Sequence, residues 1–259
     1  MRHHNPRVRS RALTLLQAGA SYGEVAEELG VPRGTVAWWL HEHRRLHGPT
    51  SAPSKGCARC LGLAFDGAAY AYLLGLYLGD GHIVSKPRQH HLSIYCGHTW
   101  PGLIDAAESV MGQIMPEART GRHLKVGCTE VKSYSRHWTC FFPQHGSGPK
   151  HERPISLAPW QQTVVDAHPW EFIRGLIHSD GTRVTNWTVR KVGGQLKRYE
   201  YPRYLFTNKS QDILRLYTRA LDAVSVEWSV NRRGRIPYHI SVARRASVAL
   251  MDTHVGPKY

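Results

Sequence analysis

One ten-residue pattern occurs twice in this chain. Tyr-Leu-Leu-Gly-Leu-Tyr-Leu-Gly-Asp-Gly at 72–81 returns as Phe-Ile-Arg-Gly-Leu-Ile-His-Ser-Asp-Gly at 172–181. Each copy reads as an apolar helix stopped by an acid and a glycine. Gly75 and Gly79 stand four residues apart, as do Gly175 and Ser179, so each pair lies on one helix face. Small residues at that spacing let two helix backbones approach closely, where larger side chains would hold them apart. A glycine inside a helix costs about 1 kcal/mol relative to alanine, so close packing has to offset it. Gly81 and Gly181 suit the left-handed position that ends a helix. The repeat therefore predicts a duplicated fold with its two motif helices packed side by side.

The acids of the motif, Asp80 and Asp180, are poor choices for stability. A carboxylate in the last turn faces the negative end of the helix dipole, at a cost of about 0.3–1 kcal/mol. Packing two such helices together adds mutual repulsion. A divalent cation, Mg²⁺ or Mn²⁺, resolves the conflict, because it takes oxygen ligands from carboxylates and from carbonyls exposed at helix ends. Asp-Gly alone is an ordinary turn dipeptide; its recurrence inside a repeated framework is what gives it weight.

That framework continues beyond the motifs. In the first copy Leu92, Ile94 and Cys96 alternate as a strand, and Leu103 to Ile114 carries a helical stripe. Alternation returns at Leu124, Val126 and Cys128, and at Trp138, Cys140 and Phe142. In the second copy strands are expected through Trp187 and Val189 and through Tyr204 and Phe206, then a helix over Ile213 to Val224. Val226 to Val230 and Ile236 to Val242 follow as a hairpin joined by Asn231-Arg-Arg-Gly-Arg235. Helix, two strands, helix, two strands and a short terminal helix, taken twice, predict an α+β protein with two pseudo-symmetric antiparallel sheets. The repeats are expected over 65–164 and 165–259.

These motifs resemble the paired motifs of single-chain LAGLIDADG homing endonucleases, over about residues 65–259. The resemblance implies αββαββα units whose motif helices form a central interface and whose curved sheets make a saddle over DNA. It further implies that Asp80 and Asp180, with the carbonyls of Gly79 and Ser179, bind the metals that hydrolyse one phosphodiester in each strand. His178 and Ser179 depart from the nominal motif letters, while both acids are intact. A basic helper is expected near the metals, with Lys150 and Arg245 as the candidates and His145, His151 and Arg244 beside them. Strand residues Thr185, Arg190, Lys197, Arg203, Arg232 and Arg235 are expected to reach bases and phosphates.

Residues 1–47 read as a helix-turn-helix domain. A first helix covers Arg9 to Ala18, with Ala12, Leu13, Leu15 and Leu16 on its inner side and Gly19 ending it. Ser21 with Glu24 forms a capping-box pattern ahead of a second helix. Gly30 and Val31-Pro32 then lead into a third, with Val36, Trp39 and Leu40 inward. This stretch is similar to the helix-turn-helix units of resolvases and transposases. Arg33, Thr35, Trp38 and His41 would face the major groove. Residues 48–64 form a Gly/Pro/Ser-rich linker ending in Cys57-Ala-Arg-Cys60. That pair is half of a structural Zn²⁺ site or simply two thiols; Cys96, Cys128, Cys140 and His145 offer no matching spacing for the other half.

Charge narrows the partner. The 259-residue chain has 34 Lys and Arg against 19 Asp and Glu, a formal net charge of +15. Fourteen of the basic residues and only four acids fall between Arg183 and Arg245, interleaved with Trp and Tyr. A bias this local marks a face for double-stranded DNA, since neutralised phosphates release counterions. No apolar run is long enough for a bilayer. Five cysteines without a disulfide framework suggest a reduced, cytoplasmic and nucleoid-associated protein, expected as a monomer. A metal-dependent DNA endonuclease is thus the leading reading. A non-catalytic DNA-binding regulator on the same scaffold and an RNA-binding maturase are the alternatives.

Overall fold

The computed structural model describes residues 5–47, 56–233 and 236–259. The chain divides into two compact units, 1–57 and 58–259. In the first unit, helices α1 (Pro6–Gln17), α2 (Tyr22–Leu29) and α3 (Arg33–His47) surround a small core. Ala12, Val25, Val31, Val36 and Trp39 are buried there, with Leu15, Leu16, Ala26 and Leu29 packed against them. Leu13, expected on the inner side, is not part of this cluster. The capping box is present, Glu24 N–H donating to Ser21 Oγ at 3.2 Å and Ser21 N–H to Glu24 Oε2 at 2.7 Å. Gly30 ends α2 in the left-handed conformation.

The second unit is a mixed α+β structure built from the predicted duplication. After a one-turn helix α4 (Ala58–Leu61), the first copy runs α5 (Gly67–Leu78), β1 (Gly81–Lys86), β2 (Gln89–Gly97), α6 (Pro101–Ile114), β3 (Arg119–Lys125), β4 (Cys128–Tyr134) and α7 (Trp138–Phe141). A 3₁₀ turn at Lys150–Glu152 and α8 (Pro159–Ala167) lead to the second copy. That copy runs α9 (Pro169–Asp180), β5 (Gly181–Val192), β6 (Gln195–Thr207), α10 (Gln211–Ala223), β7 (Ser229–Arg233), β8 (Ile236–Val242) and α11 (Arg245–His254). Two four-stranded antiparallel sheets result, ordered β1-β2-β4-β3 and β5-β6-β8-β7, the same order in each copy.

Two strand expectations in the first copy are corrected. Alternation at Leu124, Val126 and Cys128 crosses the hairpin turn from β3 to β4 rather than following one strand; Leu124 and Val126 are exposed, and β4 begins only at Cys128. Trp138, Cys140 and Phe142 lie in or beside α7, where the Cys140 and Phe142 amides bond back to His137 and Trp138 as in a helical turn. Gly234 and Arg235 of the expected second-copy turn lie outside the described residues, and β7 and β8 pair as a hairpin around them.

The motif helices are the centre of this unit. Every residue of α5 from Tyr70 to Leu78 is buried, as a helix apolar on all sides requires. α9 packs against it and buries Phe172, Ile173 and Gly175 through Ser179. Glycine is needed at the crossing. A Cβ on Gly75 would sit 2.7 Å from Leu176 N and from Phe172 O, and one on Gly175 would sit 2.9 Å from Gly75 Cα. Gly81 and Gly181 behave otherwise than expected. Neither is left-handed; Gly181 is extended, with φ −98° and ψ 174°. Each opens the first strand of its sheet close over the helix just left, so a Cβ would meet Tyr77 O at 2.8 Å or Ile177 Cα at 2.7 Å.

Candidate active site and DNA interface

Asp80 and Asp180 occupy matching points where a motif helix gives way to the first strand of a sheet, Asp80 just past α5 and Asp180 as the last residue of α9. The helix crossing brings them together: a Cβ on Gly79 would lie 3.2 Å from Asp180 Cγ. Burial pushes the Asp80 carboxyl up to about 6, and the charge of Asp180 pushes in the same direction, against the pull of Lys258 and Lys150. Asp180 is also raised, by burial, opposed by a 2.6 Å hydrogen bond from Asn208 Nδ2 and by the same lysines. Gly79 and Ser179 face each other across the crossing. The Ser179 hydroxyl lies 3.0 Å from Gly175 O and 3.4 Å from Gly75 O.

Two ammonium groups stand beside the acids. Lys150 Nζ donates to three carbonyls at the end of α5, Tyr77 O at 2.5 Å, Leu78 O at 3.1 Å and Gly79 O at 2.8 Å. Lys258 Nζ donates to Ser179 O at 2.5 Å at the end of α9. Burial draws Lys150 down to about 8, although both aspartates favour its charged form. Lys258 is lowered for the same reason.

Lys258 was not among the sequence candidates, yet the sequence does carry its signal. Gly148-Pro149-Lys150 returns as Gly256-Pro257-Lys258, one tripeptide after each copy of the repeat. Both glycines adopt positive φ, 79° and 72°. A left-handed residue followed by a φ-locked proline fixes the chain's direction as each lysine enters the site. The duplication thus extends to the basic partners of the acids.

A cavity of about 390 Å³ opens beside the acids, lined by Asp180, Gly79, Lys150, His82, Thr207 and Asn208 among others. His145 and His151 also line it, and burial lowers the His145 pKa. Arg245, expected here, does not line this cavity; it is exposed at the start of α11. Arg244 is engaged elsewhere, in a 2.7 Å ion pair with Glu227. The donors at the crossing, two carboxylates and the helix-end carbonyls on which Lys150 and Lys258 rest, are all oxygen. That set suits a hard divalent cation.

The strand residues divide by parity. Tyr204 and Phe206 of β6 are buried, so Arg203, Tyr201, Tyr199 and Lys197 share the opposite face. Arg190 pairs with Lys197 in register and joins them. Thr185, opposite Pro202, belongs to the other set, the face of Tyr204. The outer half of the β5–β6 ribbon is exposed and carries Arg190, Lys191, Lys197 and Arg198, with Arg198 stacked 4.9 Å from the Trp187 ring centroid. Arg232 lies in β7 with its side chain outside the described residues, as is all of Arg235. In the N-terminal unit, Arg33 and His41 of α3 are exposed and Thr35 is half-buried. Trp38 is 56% exposed, with the Arg9 guanidinium 5.9 Å from its ring centroid.

No curated protein matches this sequence. Residues 3–53 match the model of a homeodomain-like domain. Among solved structures, that of I-DmoI in complex with DNA and Mn is similar at a TM-score of 0.50 and 14% identity, covering 74% of this chain and 98% of that one. The N-terminal LAGLIDADG domain of DUF199/WhiA gives 0.45 at 12% identity, covering 74% of this chain and 83% of that one. A variant of I-SmaMI gives 0.45 at 9%, with 72% and 84% covered. In fold, this chain resembles the LAGLIDADG homing endonucleases, and it carries a homeodomain-like helical domain ahead of that fold.

Proposed function

We propose that the protein is a site-specific, divalent-metal-dependent endonuclease that hydrolyses both strands of double-stranded DNA. The observation that carries this reading is the pairing of Asp80 and Asp180 at one glycine-mediated helix crossing, with a lysine from each repeat beside them. Two half-buried acids, both raised from their ordinary values by burial, are a cost to the fold that a bound cation would offset. Mg²⁺ or Mn²⁺ held by the two carboxylates and the Gly79 and Ser179 carbonyls would polarise the phosphate and lower the pKa of bound water.

The remaining work falls to the chain's own groups. Lys150 and Lys258 place positive charge where a scissile phosphate would gather negative charge. Asn208 holds the Asp180 carboxylate in one orientation through its 2.6 Å hydrogen bond. The basic ribbon face of Arg190, Lys197 and Arg203 holds phosphates and reads base edges, since a two-stranded ribbon fits the major groove. Arg33, Thr35 and Trp38 of the helical domain add a second reading element.

The direct test is to recover bound sites from a random double-stranded library and incubate them with the protein in Mg²⁺, in Mn²⁺ and in chelator. Cleavage of both strands in either metal and none in chelator supports the proposal. Tight, selective binding without cleavage in any divalent metal would instead establish the non-catalytic regulator.

A further inference from the structure

The Cys-x-x-Cys of the linker finds its other half where the sequence spacing gave no hint. Cys57, Cys60, His137 and Cys140 place their ligand atoms all within 4.8 Å of one another. Cys60 Sγ is 3.3 Å from His137 Nδ1 and 3.3 Å from Cys140 Sγ, and Cys140 Sγ is 3.8 Å from His137 Nδ1. A 3.3 Å sulfur pair is far from the ~2.05 Å of a disulfide. It is close to what one tetrahedral ion imposes: Zn–S of ~2.3 Å and Zn–N of ~2.0 Å put neighbouring ligands about 3.6 Å apart.

The local backbone is arranged for such a site. Cys57-x-x-Cys60 and His137-x-x-Cys140 are two i, i+3 pairs, each at a four-residue helix, α4 and α7. One helical turn brings residues i and i+3 to the same side, so each turn presents a pair of donors. Helices this short do not hold themselves, because nucleation costs more than a single turn returns. α4 and α7 pack on each other, which brings the two pairs together. Three thiolates and an imidazole are soft and borderline donors, unlike the oxygen set at Asp80 and Asp180.

We propose that Cys57, Cys60, His137 and Cys140 bind one structural Zn²⁺, closed by four protein ligands, which pins α7 beneath the first motif helix. The coupling to that helix runs through aromatic packing. Phe141 O accepts a 2.5 Å hydrogen bond from Tyr70 of α5, and the Phe142 ring lies 4.3 Å from that of Tyr77. The ion has no open position for water or substrate, so its part is to hold α7 and, through it, α5, rather than to take part in hydrolysis.

The test is metal analysis of the full chain purified without chelator. Expected is about one zinc per chain in the wild type and in Asp80→Asn, and less than about a tenth of that in Cys60→Ser and Cys140→Ser, with Cys128→Ser as the unaffected control. A second measurement needs no variant. Cobalt added to the chelator-stripped wild type should give tetrahedral ligand-field bands with intense thiolate charge-transfer absorption, and zinc should displace them. A wild type that carries no zinc after purification and after reconstitution overturns the proposal. So do full zinc in both cysteine variants, an iron chromophore in place of zinc, or a cobalt spectrum without thiolate bands.

Discussion

Asp80 is where the proposed chemistry and the stability of the fold oppose each other. Its folded-state pKa of about 6 lies above the ordinary carboxyl value of 3.8, so between those limits the folded chain binds more protons than the unfolded chain. The stability contributed by this group is therefore full at acid pH and is lost as pH rises from about 4 through about 6. For the metal-free protein, Asp80→Asn should flatten that part of the pH–stability curve and raise the unfolding free energy near pH 7.5 by about 1 kcal/mol. Calorimetric melts at several pH values check this; a variant less stable than wild type at pH 7.5 would show that the acid is not under strain. The two lysines carry a kinetic expectation. Lys150→Met and Lys258→Met should each slow cleavage by about 10²-fold or more while DNA affinity changes only a few-fold, as measured by single-turnover cleavage beside equilibrium binding. Asp80, Asp180 and Lys150 were legible in the sequence because each sits in or near a longer pattern. Lys258 was hidden because its signal is three residues long, and Arg245 drew attention only through local charge.

At the scale of elements, the motif helices were read from spacing alone, and the structure gives them the packing that spacing implies. Gly75 and Gly175 meet backbone rather than side-chain ends, so no rotamer change can make room for a methyl group there. Gly175→Ala should thus lower stability by about 1–3 kcal/mol, the range for overpacking a filled core, despite alanine's better helix propensity. Urea unfolding of the variant checks this, and a stabilised variant would mean that the helices do not cross at this point. Gly81 and Gly181 teach a related lesson: Asp-Gly suggested a left-handed stop, but the glycines are there because the strand leaves so close over its own helix. Strand reading failed at two places, one exposed and one buried in a helical turn. Leu124 and Val126 alternate by coincidence across an exposed turn, and Trp138 and Phe142 lie in or beside a helical turn, where the Phe142 ring packs on Tyr77 of α5 and on Trp138. A period of two carries information only where one face is covered.

For the whole molecule, duplication accounts for most of the architecture. One unit repeated gives two sheets of identical strand order, two acids, two glycines meeting at one helix crossing and two Gly-Pro-Lys lysines. The copies are not equal at their surfaces. The second extends a long basic ribbon, and the first buries Glu130 on its open sheet face. Burial would raise that carboxyl, but hydrogen bonds from Ser93, Lys132 and Tyr95 outweigh it and hold it at about 2. Sequence reading caught the charge of the second copy and missed this fixed acid in the first, which only the register places among lysines. The unequal faces fit an asymmetric DNA site, and in the proposed function the paired acids serve one metal-dependent cut per strand. Strand-resolved cleavage of a selected site in Mg²⁺, with wild type beside Asp80→Asn and Asp180→Asn, tests this most directly. Both strands should be cut by the wild type, and each variant should bind normally while losing at least about 10³-fold in cleavage. Undiminished cleavage of both strands by both variants would contradict the assignment of the site.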